Sequence, residues 1–252
     1  MPNYKENRRF LKANWEEFGD PKNKTDQQRG LPRPAPEKPF AEGSVLIDLV
    51  APDDLSVGNM RLRDAIANRQ SRREYGSEPL DMDELSFLLW ATQGIRAVEQ
   101  MADGVTTRRT VPSGGARHPF ETYLYVDRVD GVEQGLYRYL PMEHKLLLIE
   151  HGDLAEKISQ GCCGQGFVGE GAVVFIWTAI PYRMEWRYTV RAHKTIALDA
   201  GHVCQNLYLA AEAIGAGTCA IAAYFQDKMD AILGLDGDDE FVIYVAPVGK
   251  LP

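Results

Sequence analysis

The chain has 252 residues, of which 44% are hydrophobic and 25% charged, enough to bury a substantial core in one domain of ordinary globular balance. Its net charge of −8 argues against a nucleic-acid partner, and no apolar run reaches the roughly 18–20 residues of a membrane span. No apolar core follows the charges of the N-terminus, so a secretory signal is not expected and a cytoplasmic protein is.

Residues 1–57 read as an extended N-terminal arm. A short helical pattern near Phe10, Leu11, Trp15 and Phe18 gives way to a polar stretch from Lys22 to Gly30. Pro32, Pro34, Pro36 and Pro39 then enforce an extended, polyproline-like path. The aromatic residues, with Phe40, suggest that the arm wraps the body or a partner subunit rather than folding alone.

The compact part, residues 58–252, opens with a helical stripe of Leu62, Ala65 and Ile66 that ends at Asn68. Directly after it comes Arg69-Gln70-Ser71-Arg72-Arg73, three cations and a hydroxyl. Guanidinium forks beside a hydroxyl donor are what a phosphate dianion requires, although such a run also serves as a solvated helix end. Asp81 and Glu84 have capping-box spacing at the start of a second helix. Leu85, Leu88 and Leu89 form its apolar face, and Gly94 is the predicted stop.

Residues 95–111 are polar and lead through Arg108 and Arg109, of which Arg109 is the better phosphate candidate, into Pro112-Ser113-Gly114-Gly115-Ala116. Small residues let a planar ring approach the main chain, although such a stretch can be merely a turn. Taken together, the cationic run and this bend read as two ends of one flavin mononucleotide (FMN) site. Phe120 to Val126 alternates as a strand, turns at Asp130-Gly131 and returns through Leu136 to Tyr139. Residues 153–161 read as a helix. Four cysteines (Cys162, Cys163, Cys204 and Cys219) form no C-x-x-C pair, so reduced thiols and no metal site are expected. Ala172 to Trp177 is an unbroken apolar run, as in a strand covered on both faces. Ile196, Val203, Leu207, Ala210, Ala211 and Ile214 mark a long helix closed by Gly215. A short apolar segment from Thr218 to Ala223, a helix from Asp227 to Leu233 and a strand from Phe241 to Ala246 complete the chain. The elements interleave without regular βαβ spacing, which favours an α+β sandwich with a mixed, mainly antiparallel central sheet flanked by helices.

These motifs, in this order over about residues 45–250, resemble the nitroreductase superfamily of FMN-dependent oxidoreductases, and within it the SagB-type dehydrogenase branch. The resemblance rests on Arg69-x-Ser71-x-Arg73, on Leu85 to Gly94, on Arg109 to Gly115, on Gly135 to Tyr139, on Asp199 to Asn206 and on Gly215 to Cys219. It implies that Arg69, Gln70, Ser71 and Arg73 meet the phosphate and pyrimidine edge of FMN. It further implies that Pro112, Ser113, Gly114 and Gly115 pack on the flavin from the other subunit of a homodimer. Gln165 falls where the family places an amide near the flavin; it could equally cap a turn. Ala220, Ile221, Ala222 and Ala223 would run along the ring with a backbone N–H near its N5 atom. NAD(P)H is the implied reductant and a small molecule the implied acceptor. The azoline-oxidising members carry a Lys-Tyr pair before the long helix, where this chain has Trp186-Arg187-Tyr188. A guanidinium cannot serve as the base that a lysine amine can, which argues against azoline oxidation on a partner-held peptide and leaves Tyr188 as the proton-exchanging group. Arg187 and Tyr188 are the catalytic candidates. His202 is expected to be a hydrogen-bonded core residue, His118 lies beside the flavin turn, and Lys250 is the remaining C-terminal cation.

Overall fold

The computed structural model describes residues 4–13 and 24–252; Trp15, Phe18 and Lys22 lie outside the described residues. Seven strands form one sheet in the order β1-β6-β5-β4-β7-β9-β8: β1 is Leu46–Asp48, β4 Phe120–Val126, β5 Gly135–Leu140, β6 Lys145–His151, β7 Val173–Ala179, β8 Ala216–Thr218 and β9 Phe241–Lys250. Every pairing between these strands is antiparallel, and parallel geometry enters through isolated bridges such as Ser71 with Thr218. Strands β2 (Ile95–Met101) and β3 (Gly104–Arg109) form a separate hairpin. The helices are α1 (Tyr4–Asn7), α2 (Leu62–Asn68), α3 (Met82–Gln93), α4 (Ala155–Gly161), α5 (Tyr182–Tyr188), α6 (Ala192–Ala213) and α7 (Gln226–Leu233).

Strands β4 and β7 are buried at every residue, which the unbroken apolar run of β7 anticipates, while β4 carries Glu121 and Thr122 into the interior. Side chains of successive residues point to opposite faces. One face (Phe120, Leu124, Phe175, Trp177) packs with α3 and with α6 residues Ile196, Val203 and Leu207. The other face (Tyr123, Tyr125, Val174, Ile176) packs with Ile158 of α4 and Met229 of α7. The result is a three-layer α/β sandwich, and its inner strands are the ones the apolar runs mark. The capping box of α3 is present in both directions: Glu84 N–H donates to Asp81, and Asp81 N–H donates to the Glu84 carboxylate. Gly94 ends that helix with φ −56°. Glycine is needed there because a Cβ would stand 2.4 Å from the Trp90 ring.

The described part of the arm lies on the body. Polyproline-type backbone makes no hydrogen bonds of its own, and here the body supplies the donors. Arg109 Nη2 reaches Pro36 O at 2.8 Å, and Arg138 Nη2 reaches the carbonyls of Lys38 and Pro39 at 3.0 Å. Arg33 closes on Asp103 at the β2–β3 turn with two bonds of 2.8 and 3.1 Å. Farther along, β1 adds an edge strand to β6, so the arm contributes to the sheet before residue 58. The Phe10 and Leu11 side chains are exposed, while the Leu11 carbonyl accepts from Lys194 of α6.

Two stretches depart from the sequence reading. The polar segment after α3, to which the sequence reading gave no element, is the β2–β3 hairpin, and the α2 stripe buries Ala65 alone. Leu62 and Ile66 are 65% and 57% exposed.

Candidate functional site

Helix α6 carries a cluster of functional side chains at each end. At its C-terminal half the chain leaving α2 passes beside β8, where Ser71 bridges Thr218 and Arg72 N–H donates to Thr218 O at 2.9 Å. Tyr208 of α6 holds this crossing together. Its hydroxyl lies 2.9 Å from Ser71 Oγ and accepts the N–H of Ala220 at 2.9 Å. The Arg69 guanidinium stands 5.3 Å from the centre of the Tyr208 ring, and that of Arg73 stands 5.8 Å from the centre of the Phe167 ring. Such cation–π contacts are worth about 0.5–1 kcal/mol when exposed and leave the N–H forks open. Neither arginine has a carboxylate partner among the described residues. Gln70 is exposed, and its N–H faces Glu212 at 3.4 Å.

The segment after β8 joins the same cluster. Ile221 N–H donates to Val245 O at 2.7 Å, with its side chain in the core. With Ala220 N–H taken by Tyr208, the donors still open are those of Ala222 and Ala223, both exposed and without a backbone or side-chain acceptor among the described residues. Gln165 links in through Nε2, which donates to Cys162 O at 2.8 Å and Ala223 O at 3.2 Å. It therefore caps its own turn and also fixes the Ala223 carbonyl. Two open guanidinium forks, a hydroxyl and two free amides at a small-residue edge can bind a phosphate and the polar rim of a ring.

At the N-terminal half of α6, Asp199 builds the Pro112–Gly115 turn by accepting Gly114 N–H on both oxygens at 3.1 and 3.3 Å. Burial raises the Asp199 carboxyl above its usual range. Ser113 Oγ accepts His118 N–H at 2.9 Å. Gly115 has φ +60°, and a Cβ there would stand 2.5 Å from the Tyr188 hydroxyl and 3.1 Å from Arg187 Cδ. This is the close approach that requires glycine. Helix α5 thus delivers Arg187 and Tyr188 onto the turn, anchored by buried Trp186, whose Nε1 donates to Leu31 O at 3.1 Å. His118 is pushed down to about 2 by burial and by the charges of Arg109 and Arg117, which holds its imidazole in the neutral form.

Within one chain the predicted site residues therefore form two groups rather than one. Arg69, Gln70, Ser71, Arg73, Gln165 and Ala220–Ala223 make the first; Pro112, Ser113, Gly114, Gly115, Arg187 and Tyr188 make the second. Asp199 and Tyr208, which anchor them, are nine positions apart on α6, or roughly 13 Å along its axis. Two expectations are corrected. Arg109 is buried against Gln93 Oε1 (2.8 Å) and Pro36 O and is a strut for the arm, and Arg108 is paired with Glu99. His202 is an exposed helix residue 3.7 Å from Asp199, not a core histidine. Lys250 is committed to Glu84 and the α6 terminus. The sequence reading assigned no role to Tyr208 or Asp199. The available signal was a polar side chain on the flank of an otherwise apolar helical stripe.

Among the described residues no group of three or more His, Cys, Asp or Glu side chains is arranged to hold a metal ion. No helix among them is long and apolar enough to cross a membrane. Residues 66–250 match the sequence model of the nitroreductase family. A Methanocaldococcus jannaschii protein classed as a nitroreductase is 34% identical over 197 residues, covering 77% of this chain and 93% of that one. The trifolitoxin-processing protein TfxB of Rhizobium leguminosarum bv. trifolii is 31% identical over 163 residues, 62% of this chain; the match spans 44% of TfxB. A crystal structure of a Ralstonia eutropha protein classed as a nitroreductase superposes with a TM-score of 0.67 at 28% identity, covering 88% of this chain and 95% of that one. With that profile match and these likenesses, the three-layer sandwich is a nitroreductase fold, and the chain belongs to the nitroreductase family of oxidoreductases.

Proposed function

We propose that this chain is an FMN-dependent oxidoreductase that takes electrons from NAD(P)H and passes them to a small organic acceptor. One observation carries the reading: the open forks of Arg69 and Arg73 and the Ser71 hydroxyl, tied through Tyr208 to a main-chain segment with two free N–H groups. These residues fit FMN. The cations and hydroxyl match its phosphate, and the amides of Ala222 and Ala223 match an acceptor-rich ring edge. Bound there, the coenzyme would supply two-electron chemistry, with the protein providing orientation and water exclusion.

The second group would come from another copy of the chain. The separation along α6 favours a homodimer in which the Pro112–Gly115 turn of one subunit covers the ring held by its partner. The exposed apolar side chains of Leu62, Ile66 and Leu198 provide a surface that such an assembly would cover. In that arrangement Tyr188 holds the exchangeable proton and Arg187 holds positive charge beside it. The test is the visible spectrum of the purified protein after addition of FMN, with its mass in solution. A colourless protein that takes up no flavin refutes the reading, and a monomer that binds FMN at full strength refutes the shared site.

A second reading is favoured by the likeness to TfxB, which is described as processing trifolitoxin. In it the chain is a dehydrogenase that tailors a peptide presented by a partner enzyme. The presence of arginine at position 187 argues against the azoline version, because the base is lost. Co-purification of a peptide-binding partner, together with oxidation of the bound peptide, would favour it over the first reading.

A further inference from the structure

Beside the Pro112–Gly115 turn lies a cavity of about 490 Å³, within the size range of small-molecule sites. Three arginines line it, from three different segments: Arg33 of the arm, Arg108 of the hairpin and Arg187 of α5. Two of them are neutralised. Arg33 is closed on Asp103 by bonds of 2.8 and 3.1 Å, and Arg108 on Glu99 by bonds of 2.9 and 3.1 Å. Arg187 has no carboxylate partner among the described residues; its guanidinium lies 5.5 Å from the centre of the Tyr188 ring.

Behind this wall is a second uncompensated cation. Arg117 is 5% exposed and stacks 5.1 Å from the centre of Trp186, with Nε and Nη1 lacking any hydrogen-bond partner. Burial and the neighbouring charges of Arg33 and Arg187 lower it to about 10, so it remains charged at neutral pH. Neither guanidinium has a carboxylate within ion-pair distance among the described residues, and the buried Arg117, with only the more distant attraction of Asp103, gains from an anion drawn to this end of the cavity.

We propose that this cavity is the acceptor subsite and that Arg187 binds a carboxylate of the acceptor, which makes the substrate class a small organic monoanion. The inference rests on the FMN reading, in which the Pro112–Gly115 turn is the wall shared by coenzyme and acceptor. One open fork matches one carboxylate in bidentate fashion. A phosphate dianion would call for a second open cation, and Arg33 and Arg108 are already closed. Arg117 adds positive potential without contact. Val111 and Met101 give the cavity apolar surface for the remainder of the molecule.

The test has two arms on the full-length protein with FMN added. In the first, benzoate, benzamide and phenyl phosphate are titrated calorimetrically. In the second, NAD(P)H-driven reduction of 4-nitrobenzoate is compared with that of 4-nitrobenzamide. Benzoate should bind about tenfold or more tightly than the amide, and nitrobenzoate should be preferred by a similar factor in kcat/KM, as one charge-assisted contact gives. Arg187→Gln should abolish both preferences, in the calorimetric affinities as well as in kcat/KM, and Arg187→Lys should restore part of them. Equal handling of acid and amide by the unaltered protein, or a preference that survives Arg187→Gln, overturns the proposal. Tighter binding of phenyl phosphate than of benzoate overturns the monoanion assignment. Failure of the flavin reading would appear separately, as absence of FMN uptake, while the benzoate titration still reports on the carboxylate site.

Discussion

At the C-terminal half of α6, Arg69 and Arg73 lie against aromatic rings with their forks open, whereas at its N-terminal half Arg33 and Arg108 are each closed on a carboxylate. The first end is an edge whose guanidinium forks are open, the donors that the proposed function assigns to FMN. The second is a clasp between arm, hairpin and turn in which Arg33 and Arg108 are satisfied, leaving Arg187 open on its surface and Arg117 buried behind it. An open fork contributes little to folding, because exposed cations are well solvated. A clasped one orders the backbone around it. Under the proposed function the contrast separates cations that serve a ligand from cations that hold the shape, and the bonds of Arg109 to Gln93 and Pro36 place it with the second.

Substitutions at the two ends should break along that line. The largest effect is expected from Arg69→Ala: FMN affinity should fall by about 1.5–3 kcal/mol, the value of a charge-assisted contact, with the thermal midpoint unchanged. A fluorescence titration of the flavin and a melting curve measure the two quantities; a lowered melting point with intact affinity would invert the assignment. Gly115→Ala acts at the other end and in the opposite sense. Its positive φ and the nearby Tyr188 hydroxyl should cost about 1–3 kcal/mol of stability as strain, measured by urea unfolding. Tyr208→Phe is milder. Losing the hydroxyl that joins Ser71 to Ala220 should cost about 0.5–1.5 kcal/mol, seen in FMN affinity more than in unfolding.

The smallest global effect concerns the arm. Burial, together with neighbouring Glu143 and Glu121, raises the Glu37 carboxyl to about 8. The folded arm therefore binds a proton that the released arm, with an ordinary carboxyl, gives up near pH 4.5. Between those values release is accompanied by proton loss, so the docked arm weakens as pH rises through that window. Limited proteolysis within residues 24–45 should be faster at pH 8.5 than at pH 5.5, and Glu37→Gln should flatten the difference. Equal cleavage at both pH values in the unaltered protein would refute the coupling.

Much of the fold was legible in the residues because its physics is local. The capping box at Asp81 and Glu84, the uniformly apolar run of β7 and the long stripe of α6 each state their structure directly. The β2–β3 hairpin was not legible. Its exposed residues mix Arg96, Gln100 and Arg108 with Val98 and Met101, so no apolar alternation marks it. The candidate site divides in the same way. Composition disclosed the cationic run and the small-residue turn, but which cations are open depends on pairings made across 70 or more residues, such as Arg33 with Asp103 and Arg109 with Pro36. Leu62 and Ile66 show the converse case, an amphipathic pattern whose apolar side finds no cover within its own chain.

Because Asp199 and Tyr208 stand on one uninterrupted helix, the distance and angle between the turn and the cationic edge are set by a count of residues. A single insertion between them would rotate one end by about 100° relative to the other and lengthen the span by about 1.5 Å. Side chains along this stretch can be exchanged freely on the solvent side, but its length can change only by nearly whole turns. The helix acts as a ruler between the two clusters, and length variation among related chains is expected in the loops and not between these two positions.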